Sequence, residues 1–120
     1  MTDFPAFMKK QWSLVPASEQ NTSDIVGHYV ETAEGVQVAF WICHSDQLSA
    51  KHRHEFDEYM VCLGGQFVVH LEEGRHVLNP GDELHIPKGT LQWSEVKAGT
   101  RSLHVFGGRR IPAKKPASTR

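Results

Sequence analysis

Three residues near the middle of the chain have types and spacing suited to chemistry: His52, His54 and Glu58, in "KHRHEFDEYMVCLGG" (residues 51–65). On an extended strand, residues two apart face the same side, so His52 and His54 project together while Lys51 and Arg53 point the other way. Two imidazoles and one carboxylate form a ligand set that suits a divalent first-row transition metal and leaves coordination positions open. If Glu58 opens the next strand, Glu58, Met60 and Cys62 share a face, with a carboxylate at the mouth and soft apolar side chains beneath it. The competing expectation is a solvated strand edge whose histidines hold nothing, and a second segment bears on the choice.

That segment is "GDELHIPKGTLQW" (residues 81–93), in which Pro87-Lys88-Gly89 bends the chain between two strands and Gln92 follows three residues after Gly89. With it the sequence resembles the cupin superfamily. The first cupin motif, HxHxxxE followed by six residues and Gly, is matched by His52, His54, Glu58 and Gly65; the second, G, five residues, PxGxxH, is matched by Gly81, Pro87 and Gly89. Fifteen residues (66–80) separate the motifs, near the compact end for cupins. The resemblance implies an all-β double-stranded β-helix, a jelly-roll barrel, in a small single-domain protein. It also implies a divalent metal (iron, manganese, nickel or zinc) held by His52, His54 and Glu58. There are two departures. Asp46 stands where cupins usually have a glycine before the first His, and only a turn is needed there. Gln92 stands where the family's third metal histidine belongs. An amide oxygen is a weak ligand beside an imidazole and cannot act as a base, so Gln92 is expected to be a weak fourth ligand or a hydrogen-bonding group for a bound molecule.

Other residues are weaker candidates. His104, in "RSLHVFGG", shares parity with Ser102 and Phe106. If that face is interior it approaches the site as an acid/base or a donor to a ligand, against the plainer expectation of a histidine bonded to backbone. His85 precedes Ile86-Pro87, where many cupins carry an aromatic lining the cavity. Met60 and Phe106 are expected to wall the pocket, whereas Trp93, one step off Gln92, should face away from it. His28, His44, His70 and His76 have no spacing that recommends them and are expected at the surface.

The elements that must position these residues are short and β-rich. "DIVGHYVET" and "VQVAFWICH" flank "AEG" as a hairpin; "EYMVCLG" and "QFVVHLEEG" are joined at Gly64-Gly65; "ELHIP", "LQWSEV" and "RSLHVFG" follow, separated by Gly/Pro turns. Many short strands with such punctuation predict an all-β sandwich or barrel from pattern alone. The division expected is an extension over 1–20, the barrel domain over 21–108 and a basic, disordered tail over 109–120. That tail, "RRIPAKKPASTR", holds five of the thirteen Lys+Arg, which leaves the other 108 residues with eight basic against fourteen acidic side chains. An acidic body of net −6 argues against a nucleic-acid surface. The apolar runs are far short of a membrane span and no secretory signal is visible, so Cys43 and Cys62 are read as buried free thiols of a cytoplasmic protein. Two functions remain open. One is a metal-dependent enzyme of dioxygenase, isomerase or lyase type acting on a small oxygenated molecule. The other is a non-catalytic small-molecule-binding cupin whose metal site has decayed at Gln92. Cupins are commonly dimers, so the resemblance implies a homodimer.

Overall fold

The computed structural model describes residues 4–9 and 13–111. Among the described residues, 3-10 turns at Ala6–Met8 and Ala17–Glu19 precede nine strands: β1 (Ile25–Glu31), β2 (Gln37–Cys43), β3 (Gln47–Leu48), β4 (Glu58–Gly64), β5 (Phe67–Leu71), β6 (Gly74–Leu78), β7 (Glu83–Ile86), β8 (Trp93–Val96) and β9 (Arg101–Phe106). They form two antiparallel sheets, ordered β1-β2-β9-β4-β7 and β3-β8-β5-β6. The two sheets bury their facing side chains in a shared interior, the jelly-roll solution to two half-apolar sheets.

Alternation along each strand sorts the side chains. In β4, Glu58, Met60 and Cys62 point inward while Tyr59 and Leu63 are exposed. In β9, Ser102, His104 and Phe106 point inward. One part of the core gathers Met60, Cys62, Phe67, Val69, Ile86 and Val96; another gathers Val15, Tyr29, Ala39, Trp41, Phe106 and Ile111.

The hairpin of β1 and β2 forms as the pattern predicts, in register from Ile25↔Cys43 to Glu31↔Gln37. Gly64-Gly65, the expected joint between two strands, does not form a hairpin. Strand β4 pairs with β7 and β9, whereas β5 pairs with β6 and β8, so the glycine pair hands the chain from one sheet to the other. Gly65 has φ of 74°, and a Cβ on it would lie 2.6 Å from Thr100 Oγ1, so the crossover needs a residue without one.

Packing also continues beyond 21–108. Leu14 bridges His28, and Val15 N–H donates to the Gly27 carbonyl at 2.8 Å. At the other end Ile111 is fully buried, its backbone clamped by the Gln37 amide through bonds of 2.6 and 2.7 Å, and Arg109 pairs with Glu31. Residues 109–111 are therefore part of the packed unit; the rest of the basic tail lies outside the described residues. An apolar side chain at 111 and an inward amide at 37 are what bind this end down.

Candidate functional site

Glu58 is the centre of the site. It begins β4, facing Ile86 of β7 on one side and Phe106 of β9 on the other, and is 3% exposed. The strand pairing places His104 two residues along β9 from Phe106, and its Nδ1 lies 2.6 Å from Glu58 Oε2. The Gln92 amide donates to Glu58 Oε1 at 3.0 Å. Burial pushes the Glu58 carboxyl up, but the hydrogen bond and charge of His104, the charge of His54 and the Gln92 amide outweigh it and hold it at about 2. The carboxylate is thus ionised and has both oxygens engaged.

The histidine pair lies on an extended segment that makes a single bridge, His52 to Gln92, with reciprocal N–H···O bonds of 2.9 Å. Even without a continuous strand the alternation holds: Lys51, Arg53 and Glu55 are exposed, while His52, His54 and Phe56 turn inward. His52 and His54 have ring centroids 4.8 Å apart. His54 stacks on Phe56 and meets Phe106 edge-on, and its Nε2 stands 3.6 Å from Glu58 Oε1. Nδ1 of His52 lies 2.9 Å from the Ala50 carbonyl, which can only accept, so this nitrogen carries the proton and Nε2 keeps its lone pair. Burial lowers both imidazoles. The Ala50 carbonyl and Glu58 offset this in part at His52; His54 falls to about 4 despite the pull of Glu58. Both are neutral at pH 7.

These side chains line one recess of about 500 Å³, its open mouth included, walled by Ile25, Trp41, Phe67, Val96 and Phe106. Trp41 reaches the wall because it lies across Gly27 of β1, where a Cβ would come within 2.3 Å of its ring. Glu58, His52, His54, Gln92, His104 and Phe106 are brought together. Met60 is buried in the core rather than on the wall, and His85 is outside the recess. His85 has the outward parity of β7, opposite Ile86, and lies 3.2 Å from Asp57. Trp93 stacks on His70 at 3.8 Å and does not line the recess. His28, expected at the surface, is buried against Phe4 and Ser13. Cys43 and Cys62 are free thiols, and burial pushes the Cys43 thiol, in the recess wall, up to about 12.

Sequence reasoning missed Arg110, which reaches the recess from just beyond β9. Its signal was there: it follows the inward Phe106 across a Gly-Gly step. The basic composition of the following residues masked it.

Two imidazoles, a carboxylate and an amide are suitable donors for a divalent ion, but their placement is that of a hydrogen-bonded cluster. Among the described residues, no group of three His, Cys, Asp or Glu side chains is arranged to hold an ion. Glu58 accepts hydrogen bonds from Gln92 and His104 while facing the same recess as His52 and His54, with His54 Nε2 3.6 Å from its Oε1. The chain from Glu58 through His104 continues to Ser102 Oγ, 2.9 Å from His104 Nε2. Ser102 is buried and does not line the recess, so this order does not present a nucleophile.

No family model matches the sequence, and no curated protein does. Solved structures do match. An RmlC-like cupin from Shewanella frigidimarina superposes with TM-score 0.68 at 15% identity, covering 96% of this chain and 97% of its own. This is the cupin fold. The chain is also similar to the polyketide cyclase RemF from Streptomyces resistomycificus (TM-score 0.66, 16% identity, 88% of this chain and 78% of that one). KdgF from Halomonas sp. matches with TM-score 0.63 at 18% identity, over 90% of this chain and 98% of its own. No helix among the described residues is long and apolar enough to cross a membrane.

Proposed function

We propose that this cupin binds a small oxygenated organic molecule in the recess and acts on it by proton transfer, as an isomerase, lyase or cyclase does. The observation that carries the reading is His52: a neutral imidazole whose Nδ1 proton is fixed on the Ala50 carbonyl, leaving a basic Nε2 in an apolar-walled recess. Glu58, held ionised by His104 and Gln92, supplies a fixed negative charge that stabilises the imidazolium formed when His52 takes a proton. The test is hydrogen–deuterium exchange at carbon in a panel of α-hydroxyketones and 1,3-dicarbonyl compounds, followed by NMR with chelator-treated protein. Exchange above the buffer rate is expected, and His52→Gln should abolish it while calorimetry still detects binding. Exchange that is absent, or unchanged in His52→Gln, refutes the assignment.

A second reading, a metal-dependent enzyme of the same recess, is favoured by the donor chemistry: neutral imidazoles at His52 and His54 beside an ionised carboxylate. Glu58 can keep its bonds from His104 and Gln92 in that role, since each carboxylate oxygen retains a second lone pair. Metal analysis of protein purified without a chelating column tests it; activity that appears only with added iron, manganese, nickel or zinc would favour this reading over the first. The buried free thiols support a cytoplasmic protein, and homodimerisation, carried over from the resemblance, is checked by light scattering.

A further inference from the structure

The recess contains a cation that nothing in the preceding account uses. Arg110 lines one side of it, between two aromatic rings: its guanidinium carbon lies 5.3 Å from the Trp41 ring and 5.2 Å from the Phe106 ring. One end of the fork is satisfied, because Nη2 donates to the Glu19 carbonyl at 2.8 Å. The other end is not. Nη1 is buried and has no hydrogen-bond partner among the described residues.

Two costs are therefore left standing. A buried N–H donor without an acceptor loses its hydration and gains nothing in return. The charge itself is only partly offset, because Glu58 and Glu19 attract it from a distance without touching it and burial still outweighs them. No described carboxylate ion-pairs with Arg110: Glu31 is engaged by Arg109, and Glu58 by His104 and Gln92. Cation–π contact with two rings recovers part of the charge's desolvation but offers no acceptor to Nη1. What would satisfy both is an anionic oxygen entering the recess. The guanidinium is planar, permanently charged and shaped for the two oxygens of a carboxylate.

We propose that Arg110 is the anchor for a carboxylate group, so that the ligand of the recess is a small carboxylic acid. Its acidic end meets Nη1 of Arg110, its carbon skeleton lies along Trp41 and Phe106, and its remaining oxygen functions face His52 and His54. This inference rests on the recess being a ligand site, as proposed above, but adds the charge and the anchoring atom, which that proposal leaves open.

The experiment compares a matched pair, 4-oxopentanoate and its methyl ester, by titration calorimetry on the full-length protein. The acid is expected to bind at least about tenfold more tightly than the ester. Arg110→Gln should remove that preference by weakening the acid far more than the ester, while Arg110→Lys, which keeps the charge and loses the fork, should retain only part of it. A role confined to packing on Trp41 and Phe106 would weaken acid and ester alike. Equal affinity in the native protein overturns the carboxylate anchor while leaving the ligand site intact, and this comparison needs no variant to fold. Binding of neither compound, nor of longer keto acids and their esters, overturns the anchor and the ligand site together.

Discussion

His54 makes the stability of this protein depend on pH in a window where few other groups titrate. Its folded-state pKa is about 4, against an ordinary value of 6.5, because burial disfavours the imidazolium more than Glu58 favours it. A depressed histidine has the folded state binding fewer protons than the unfolded chain, so stability rises with pH. The contribution is intact above pH 6.5 and is lost as pH falls towards 4. The side chain is 12% exposed but only partly removed from solvent influence, so the stability change is smaller than the full shift implies. Stability should fall by up to about 1 kcal/mol at pH 5.5 and by up to roughly 2 kcal/mol at pH 4, relative to pH 7.5. Urea denaturation of chelator-treated protein at these pH values measures the fall, and His54→Gln should remove most of it. His52 is shifted in the same direction and accounts for a remainder. Glu58 acts lower: its carboxyl, held at about 2 against an ordinary 4.5, contributes stability that is lost only below pH 4.5. If His54→Gln keeps the native pH dependence, His54 is not desolvated as described and the inward stacking on Phe56 is wrong.

Three further outcomes follow from the geometry. His104→Ala leaves the buried Glu58 carboxylate without its imidazole and should cost about 3–5 kcal/mol in urea, with His104→Gln recovering part of the loss. Gly65→Ala forces a positive φ and a contact with Thr100, so a loss of roughly 2–3 kcal/mol is expected from the urea midpoint; a neutral change would mean that the sheet-to-sheet crossover relaxes freely. In metal titration, Gln92→His should tighten binding by about tenfold, near 1.4 kcal/mol, because imidazole nitrogen outcompetes an amide oxygen; an unchanged affinity would place residue 92 away from any ion.

Strand parity is local, and the sequence alone determined it. His52 and His54 turn inward together, Glu58, Met60 and Cys62 share a face, and His104 shares one with Phe106, because side-chain direction along extended chain alternates whatever it packs against. The all-β class followed from the same period and from its Gly/Pro punctuation. Pairing is not local, and the tertiary structure decided it. The run through Gly64-Gly65 has the same pattern whether it is a hairpin or a crossover, and only the competition among nine strands for partners assigned β4 and β5 to different sheets. That pairing set β9 beside β4, and so brought His104 to Glu58. It also carried the first residues of the basic tail over the barrel mouth, where Trp41 and Phe106 hold Arg110 in place. Composition marks that segment as solvated charge; the aromatic surface that captures its second arginine exists only once β1, β2 and β9 have come together.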